Sequence, residues 1–284
     1  MVREYSFDEI LEILKEKREI FESQRDLENV ASIITNAINT QAYNIDCGIF
    51  IVGERGTGKS TLAQLLSYLI RFVGFEIGRN YKVFVYLSSV DRIRANITLI
   101  KLREKIRKEI TERKNKNIVV VFDEMHLTAY KRDFSTRKQK ELVKTFKLLR
   151  PLNLVYFYVT QYPNDIDIDL RRADYMHWLL VLLQRGKALV YTRYIDKEEH
   201  EKSSVAYVLR NYDRFNYLIE LGLEKKLRKE FPPYFEIKYK ITKDFVEESF
   251  FDFLTFGKEK CIYMKGISHS DYDKIREIVA TRSL

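Results

Sequence analysis

The sequence has few cysteines and no long apolar run. Its two cysteines, Cys47 and Cys261, lie far apart among the 284 residues, so they indicate neither a disulfide framework nor a metal cluster. The longest apolar run, around Trp178 to Leu183, is far too short to cross a bilayer. Residues 1–22 mix acidic and basic side chains on an amphipathic pattern, which is unlike a signal peptide. We therefore expect a cytoplasmic protein with no membrane insertion.

The sequence is rich in charged residues, and basic residues outnumber acidic ones. Charged residues make up 32% and hydrophobic residues 45% of the chain, which is typical of a globular protein with a sizeable core. The formal net charge of +9 makes an anionic partner plausible, and nucleic acid is the commonest one. A basic but unspecialised surface is the alternative. Lysine, glutamate, arginine and isoleucine are abundant while glutamine is scarce, a mixture typical of thermophile proteins.

One segment matches the phosphate-loop pattern G-x-x-x-x-G-K-[ST] at every fixed position. A short apolar strand precedes it, and leucines at helical spacing follow it, which is the context that the motif needs. The backbone N–H groups of such a loop wrap phosphates, and the helix start adds partial positive charge. We predict bound ATP and Mg²⁺, with Lys59 on the outer phosphates and the Ser60 hydroxyl on magnesium. The predicted nucleotide-binding residues are Gly53, Glu54, Arg55, Gly56, Thr57, Gly58, Lys59, Ser60 and Thr61.

Apolar strands alternate with helical patterns along most of the chain. Strands that are apolar on both faces predict a mostly parallel sheet with helices on both sides, the α/β fold of a P-loop NTPase of the RecA/ASCE type. We expect N-terminal helices at 1–45, packed on an ATPase core at 46–195. A smaller C-terminal α+β appendage at 196–284 is a candidate binding region for nucleic acid or another partner.

An apolar strand ends in the acid pair Asp123 and Glu124. Ligands bind at the carboxyl ends of strands in open α/β sheets, so the pair predicts a Walker B motif. Asp123 would hold magnesium together with Ser60, and Glu124 would orient the attacking water as general base. The alternative is two solvated acids in a turn.

The next apolar strand, Leu154 to Val159, ends in Thr160 and Gln161. If the sheet inserts this strand between the Walker A and Walker B strands, Gln161 lies beside the γ-phosphate and can sense it. The alternative is a polar residue that closes a strand before a proline turn.

The segments GERGTGKS, VVVFDEMH and RPLNLVYFYVTQYPNDIDIDLRRAD together resemble the HerA-FtsK superfamily of P-loop motors, above all its zonula-occludens-toxin-like and viral packaging-ATPase branches. The resemblance spans about residues 46–185. It assigns Walker A, Walker B and sensor roles to Lys59, Ser60, Asp123, Glu124 and Gln161. It also implies a homo-oligomeric ring, usually a hexamer, that threads or pumps DNA using ATP. Zonula-occludens-toxin-like proteins usually carry a transmembrane segment, which this sequence lacks, so a role at a membrane is not implied.

Ring motors complete each site with an arginine from the neighbouring subunit, which stabilises charge on the transferring phosphoryl group. The candidates are Arg150, just before the glutamine-ended strand, and Arg171 or Arg172 after it. Arg132 and Arg137 are weaker options.

Two other functions stay open. The first is a replication initiator or loader of the AAA+ type, resembling origin-recognition and DnaA-like proteins, because helices precede the phosphate loop and Arg171 and Arg172 fit an arginine-finger segment. An AAA+ protein would follow the fifth strand with a helical lid, whereas residues 187–194 predict extended structure. The second is a nucleotide-dependent switch without steady turnover, which would not need the activating carboxylate of Glu124.

Overall fold

The apolar segments assemble into one sheet of eight strands with the order β7-β6-β5-β1-β4-β3-β2-β8. The computed structural model describes residues 3–87, 92–123, 140, 144, 152–166, 176–192, 205–240 and 253–256. The strands are β1 (Cys47–Gly53), β2 (Lys82–Leu87), β3 (Ile118–Asp123), β4 (Val155–Thr160), β5 (Met176–Gln184), β6 (Lys187–Thr192), β7 (Phe235–Lys238) and β8 (Phe253–Phe256). The helices are α1 (Phe7–Leu14), α2 (Gln24–Ala42), α3 (Lys59–Glu76), α4 (Arg92–Thr111), α5 (Val205–Arg210), α6 (Tyr212–Glu220) and α7 (Glu224–Glu230).

The sheet has a parallel half and an antiparallel half. One set of neighbouring strands runs parallel, so the carboxyl ends of these strands meet at one edge. The set consists of β5, β1, β4, β3, β2 and β8. Strand β6 returns antiparallel beside β5, and β7 pairs antiparallel with β6. Because β4 lies between β1 and β3, the ends of the three strands that carry the predicted site are adjacent.

Both faces of the sheet are buried, which explains why its strands are apolar without alternation. One face packs against α1, α2 and α3, and it includes Ile49, Phe157 and Leu180. The other face packs against α4 and the helices α5 to α7, and it includes Phe50 and Tyr158. The expected three-layer α/β architecture of a P-loop NTPase is confirmed.

The N-terminal helices are capped and attached to the antiparallel half. Ser6 and Glu9 form a capping box at the start of α1, and Ser23 and Asp26 form another at α2. The buried Asp26 carboxylate also accepts a hydrogen bond of 2.7 Å from the backbone N–H of Lys238, the last residue of β7. The start of the chain and the segment around β7 are therefore held together.

The predicted elements match the structure closely where the chain is described. The sequence also predicts a helix over about 136–149 and a capped helix near Ser270. Of these residues only 140 and 144 are described, and both are helical. The predicted boundary near residue 195 stays a prediction, and the sheet contains strands from both sides of it, since β7 and β8 follow that position. None of the helices in the described ranges combines the length and apolar character needed to cross a membrane.

Candidate functional site

The phosphate loop connects the end of β1 to the start of α3. Gly53 closes β1 with φ of 151°, and a Cβ there would lie 2.8 Å from the Leu182 carbonyl oxygen of the neighbouring strand. Gly58 precedes the helix in the left-handed region with φ of 88°. Both positions require glycine, because an L side chain would be strained or would collide. The two glycines let the backbone turn within a few residues and bring the start of α3 to the edge of the sheet.

Two side chains of the loop converge on one backbone carbonyl. The Lys59 ammonium and the Thr57 hydroxyl each donate a hydrogen bond of 2.8 Å to the Glu54 oxygen. The lysine is therefore drawn across the loop rather than out toward solvent. From this position its charge lies beside the amino end of α3, where the helix dipole already favours anions.

The magnesium-binding pair of the prediction is assembled in the structure. The Ser60 hydroxyl donates a hydrogen bond of 3.0 Å to Oδ1 of Asp123, which joins the start of α3 to the end of β3. Asp123 is only 4% exposed. A hydroxyl and a buried carboxylate are a suitable donor set for Mg²⁺, which binds proteins through one or two such groups and takes its remaining ligands from phosphates and water. The described residues contain no cluster of three or more histidine, cysteine, aspartate or glutamate side chains that would hold a metal without a phosphate.

Gln161 follows the strand that separates the two motifs. Val52 is paired with Thr160 in the register of β1 and β4, so Gln161 lies at the same edge as Gly53. Its side chain is half-buried. The strand insertion that the glutamine hypothesis required is present, and the sensor role of Gln161 itself stays a prediction.

The remaining predicted site residues cannot be placed. Glu124, Arg150, Arg171 and Arg172 lie outside the described residues, so their roles as general base and arginine finger stay predictions. The further options Arg132 and Arg137 lie outside them as well.

Two residues that sequence reasoning missed flank the loop on its other side. A Cβ on Gly58 would lie 3.6 Å from Cγ of Arg185 and 4.0 Å from the hydroxyl of Tyr239. Arg185 is in the turn between β5 and β6, and Tyr239 follows β7. The sequence offers one hint for Arg185, which is the glycine that follows it. In the structure Gly186 has a φ of 82° and forms the tight turn between β5 and β6. No motif in the sequence points to Tyr239.

Burial changes the acidity of the aromatic residues around the loop. Burial raises the pKa of Tyr239, whereas the nearby Gly186 backbone and the Arg185 charge lower it by less. Burial likewise raises the pKa of Tyr212 at the start of α6, and the charge of Glu54 in the loop raises it further. Both phenols therefore stay protonated at neutral pH.

Comparisons with known proteins agree with this geometry. The family "ATPase family associated with various cellular activities (AAA)" matches residues 49–180. This match covers β1, the phosphate loop, β3 and β4 and ends within β5. No curated protein matches the sequence significantly.

Three solved structures are similar in fold. The N-terminal domain of zonular occludens toxin from Neisseria meningitidis is 15% identical, with a TM-score of 0.41 over 72% of this chain and 98% of that one. PCH-2 from C. elegans is 18% identical, with a TM-score of 0.42 over 63% of this chain and 47% of that one. The genome packaging NTPase B204 from Sulfolobus turreted icosahedral virus 2, in complex with AMP, is 13% identical, with a TM-score of 0.34 over 52% of this chain and 93% of that one. At these values, none of the three similarities establishes a shared function.

The family match, the phosphate loop and the strand order lead to one conclusion. The chain is a P-loop ATPase, and the start of α3 is its candidate ATP site. Lys59 is predicted to neutralise phosphate charge there, and Ser60 and Asp123 would hold a magnesium ion, which would offset the charge that develops on the phosphates.

Proposed function

We propose that this P-loop ATPase is a DNA motor of the translocase or genome-packaging type, as the resemblance to the HerA-FtsK superfamily implies. The observation that carries the proposal is the strand order at the site. Strand β4 lies between β1 and β3 and is followed by Gln161, the arrangement expected of a motor with a γ-phosphate sensor.

The structure after β5 supports the motor over the AAA+ initiator. An AAA+ initiator is expected to continue from the fifth strand into a helical lid. Here Lys187–Thr192 form β6, which adds to the sheet antiparallel to β5. The helices α5 to α7 come only after β6 and pack on a face of the sheet. The lid that the initiator hypothesis needs does not follow β5 directly.

An initiator or loader of the AAA+ type is the second candidate. The AAA family match over 49–180 favours it. The motor and the loader differ in how their ATP hydrolysis depends on DNA. A motor hydrolyses ATP repeatedly along a duplex, whereas a loader acts once at a site and then releases.

The charge distribution supports an anionic polymer as partner. Helix α4 buries Leu99, Leu102 and Ile106 against the sheet and exposes Lys101 and Lys105. Its full set of basic residues is Arg92, Arg94, Lys101, Arg103, Lys105, Arg107 and Lys108. A helix with one apolar and one strongly basic face suits the DNA backbone, whose binding is dominated by phosphate contacts. We place the DNA on this face of α4.

The motor also requires a ring. Each site of a ring motor is completed by an arginine of the neighbouring subunit, and Arg150, Arg171 and Arg172 are the candidates. We propose a homo-oligomer, with a hexamer as the expected size. Native mass spectrometry with ATP and Mg²⁺ tests this, and a monomer under those conditions would count against the motor.

The decisive experiment is ATP hydrolysis with double-stranded DNA of increasing length at equal total nucleotide concentration. A translocating motor turns over more ATP on longer DNA because it meets fewer ends. Glu124→Gln should bind ATP and lose this stimulated turnover, which excludes a contaminating ATPase. Stimulation that is independent of length would favour the loader, and hydrolysis that ignores DNA would overturn the proposal.

The place of the DNA is tested by reversing charge on α4. The double variant Lys101→Glu/Lys105→Glu should weaken DNA binding and reduce its salt dependence. The matched control is Lys225→Glu/Lys229→Glu, which makes the same change on exposed residues of α7. Equal DNA affinities in the two variants would remove α4 from the interface. The ATPase rate without DNA should be unchanged in both.

A further inference from the structure

A polar cleft lies at the amino edge of the sheet, opposite the edge that carries the phosphate loop. Its volume is about 540 Å³, which is within the range of small-molecule binding sites. The segments that lead into β2 and β3 line it together with α3 and the end of α4. The cleft is therefore separate from the candidate ATP site, which lies where β1 and β3 end.

Most of the charged side chains that line the cleft in the described part of the chain are basic. Glu109 is the single acid among them. The basic ones are Arg71, Lys82, Arg113 and Lys114. Helix α4 ends at Thr111, and a helix end adds a partial negative charge of about half an elementary charge. Four cations exceed the carboxylate and this partial charge together, so the cleft attracts anions.

The buried carboxylate of Glu109 holds two of these cations side by side. Glu109 is 3% exposed, and its Oε1 atom accepts a hydrogen bond of 2.8 Å from the Lys82 ammonium. The Arg113 guanidinium lies 3.4 Å from the same oxygen. An ammonium has three donors and a guanidinium has five, so one shared oxygen leaves donors for a further acceptor. The two cations are thus positioned together before an anion binds.

Hydrogen bonds fix the turn that carries Arg113 and Lys114. Lys114 has a φ of 52°, in the left-handed region, where the chain reverses after α4. The backbone N–H of Asn115 donates a hydrogen bond of 3.1 Å to the Glu109 oxygen, which closes the end of the helix. The Asn115 side chain donates a hydrogen bond of 3.0 Å to the Asn80 oxygen, before β2. Two walls of the cleft are therefore joined by direct contacts.

We propose that this cleft is a binding site for phosphate groups, distinct from the ATP site. Arginine and lysine are the side chains that bind phosphate, and a guanidinium matches two phosphate oxygens at once. Two sources share this chemistry. One is the backbone of the DNA that we place on α4, and the other is a small phosphorylated compound. The proposal goes beyond the motor assignment and holds whether or not the protein moves DNA.

The test is the binding of pyrophosphate to protein saturated with a non-hydrolysable ATP analogue and excess magnesium, so that the phosphate loop is occupied. Arg113→Gln/Lys114→Gln removes two cations from one wall of the cleft, and Arg71→Gln removes one from α3. The matched control, Lys225→Gln/Lys226→Gln, neutralises two adjacent exposed lysines of α7. Isothermal titration calorimetry should show binding about 10-fold weaker in the first variant, about 3-fold weaker in Arg71→Gln and unchanged in the control.

Duplex DNA distinguishes the two sources of phosphate. If the cleft takes a phosphate of the DNA backbone, Arg113→Gln/Lys114→Gln should also weaken duplex binding about 10-fold and lower its salt dependence by about two phosphate contacts. Wild-type DNA affinity together with weakened pyrophosphate binding would assign the cleft to a small phosphorylated compound.

Three results would overturn the proposal. The first is a wild-type protein that binds no pyrophosphate once its phosphate loop is occupied. The second is an equal loss in the α7 control, which would show a general attraction to surface charge. The third is a loss in Arg113→Gln/Lys114→Gln with none in Arg71→Gln, which would place the anion on the exposed end of α4 instead of in the cleft. The pyrophosphate titration contains no DNA, so a failure of the motor proposal leaves its result intact.

Discussion

The two sides of the phosphate loop are built from different parts of the chain. On the β3 side, Ser60 contacts Asp123, and each residue follows an apolar strand in a short pattern that can be recognised in the sequence. On the β5 side, Arg185 and Tyr239 flank Gly58, and no local pattern marks Tyr239. Motif-based reasoning therefore finds the half of the site that short segments encode and misses the half that distant segments assemble.

The difference follows from how the two halves of the sheet are connected. Parallel strands bring their carboxyl ends to one edge, so an acidic residue after an apolar strand can be placed at the site from sequence. The antiparallel half depends on the turn at Gly186 and on the pairing of β7 with β6. A Cβ on Gly186 would lie 2.8 Å from the Tyr239 carbonyl oxygen, so the close approach of the two segments requires glycine there.

The largest expected effect concerns the β3 side. Asp123→Asn should lower magnesium-dependent ATP hydrolysis about 100-fold or more, because the amide keeps the size and the Ser60 contact but loses the charge that holds the metal. The measurement is kcat over a magnesium titration.

Asp26→Asn is the matched control, since Asp26 is also a buried carboxylate, at 6% exposure, but it caps α2 and accepts the Lys238 N–H instead of contacting Ser60. It should cost about 1–2 kcal/mol of unfolding free energy and leave the magnesium dependence unchanged. If both variants lost hydrolysis and stability together, Asp123 would be a structural residue and the contrast between the two sides would fail.

A smaller effect on ATP hydrolysis is expected at Gln161, which follows the strand between the phosphate loop strand and the Asp123 strand. Gln161→Ala should slow ATP hydrolysis about 10-fold without changing the affinity for ATP, since a γ-phosphate sensor acts on the reacting phosphoryl group. Gln184→Ala is the control, because Gln184 is exposed at the end of β5, the neighbour of β1 on the other side. A normal rate in Gln161→Ala, or an equal loss in Gln184→Ala, would remove the glutamine from the site.

The smallest effect concerns stability in alkaline solution. Burial raises the pKa of Tyr81 to about 12, above its ordinary value of 10.0. The unfolded chain loses this proton first as pH rises, so the free energy of unfolding should fall above about pH 10, by about 1.4 kcal/mol per pH unit for each such tyrosine.

Urea unfolding over that pH range measures the slope. Tyr81→Phe and Tyr239→Phe should each reduce it, since burial raises both pKa values. The same slope in the wild type and both variants would mean that neither phenol is protected by the fold.

The sequence alone was enough to predict the parallel strands β1 to β5 and to bring Ser60 and Asp123 to one edge of the sheet. Its strands are buried on both faces, so they appear as continuous apolar runs, and the phosphate loop needs glycines and a lysine at fixed spacing. Lys59, Ser60 and Asp123 could be predicted to lie at one edge of the sheet because a strand's carboxyl end has a known place in a parallel sheet. The expected insertion of β4 between β1 and β3 is confirmed by the strand order.

The tertiary structure was needed for everything that depends on long-range pairing. The sequence predicts extended structure over 187–194, where β6 lies, but it does not indicate that β7 pairs with β6 or that β8 enters the sheet next to β2. Tyr239 lies near Gly58 because the turn at Gly186 and the bridge to Phe21 hold its backbone segment between two others. Local propensity cannot encode such a contact, because its residues become neighbours only when the sheet and the N-terminal helices pack together.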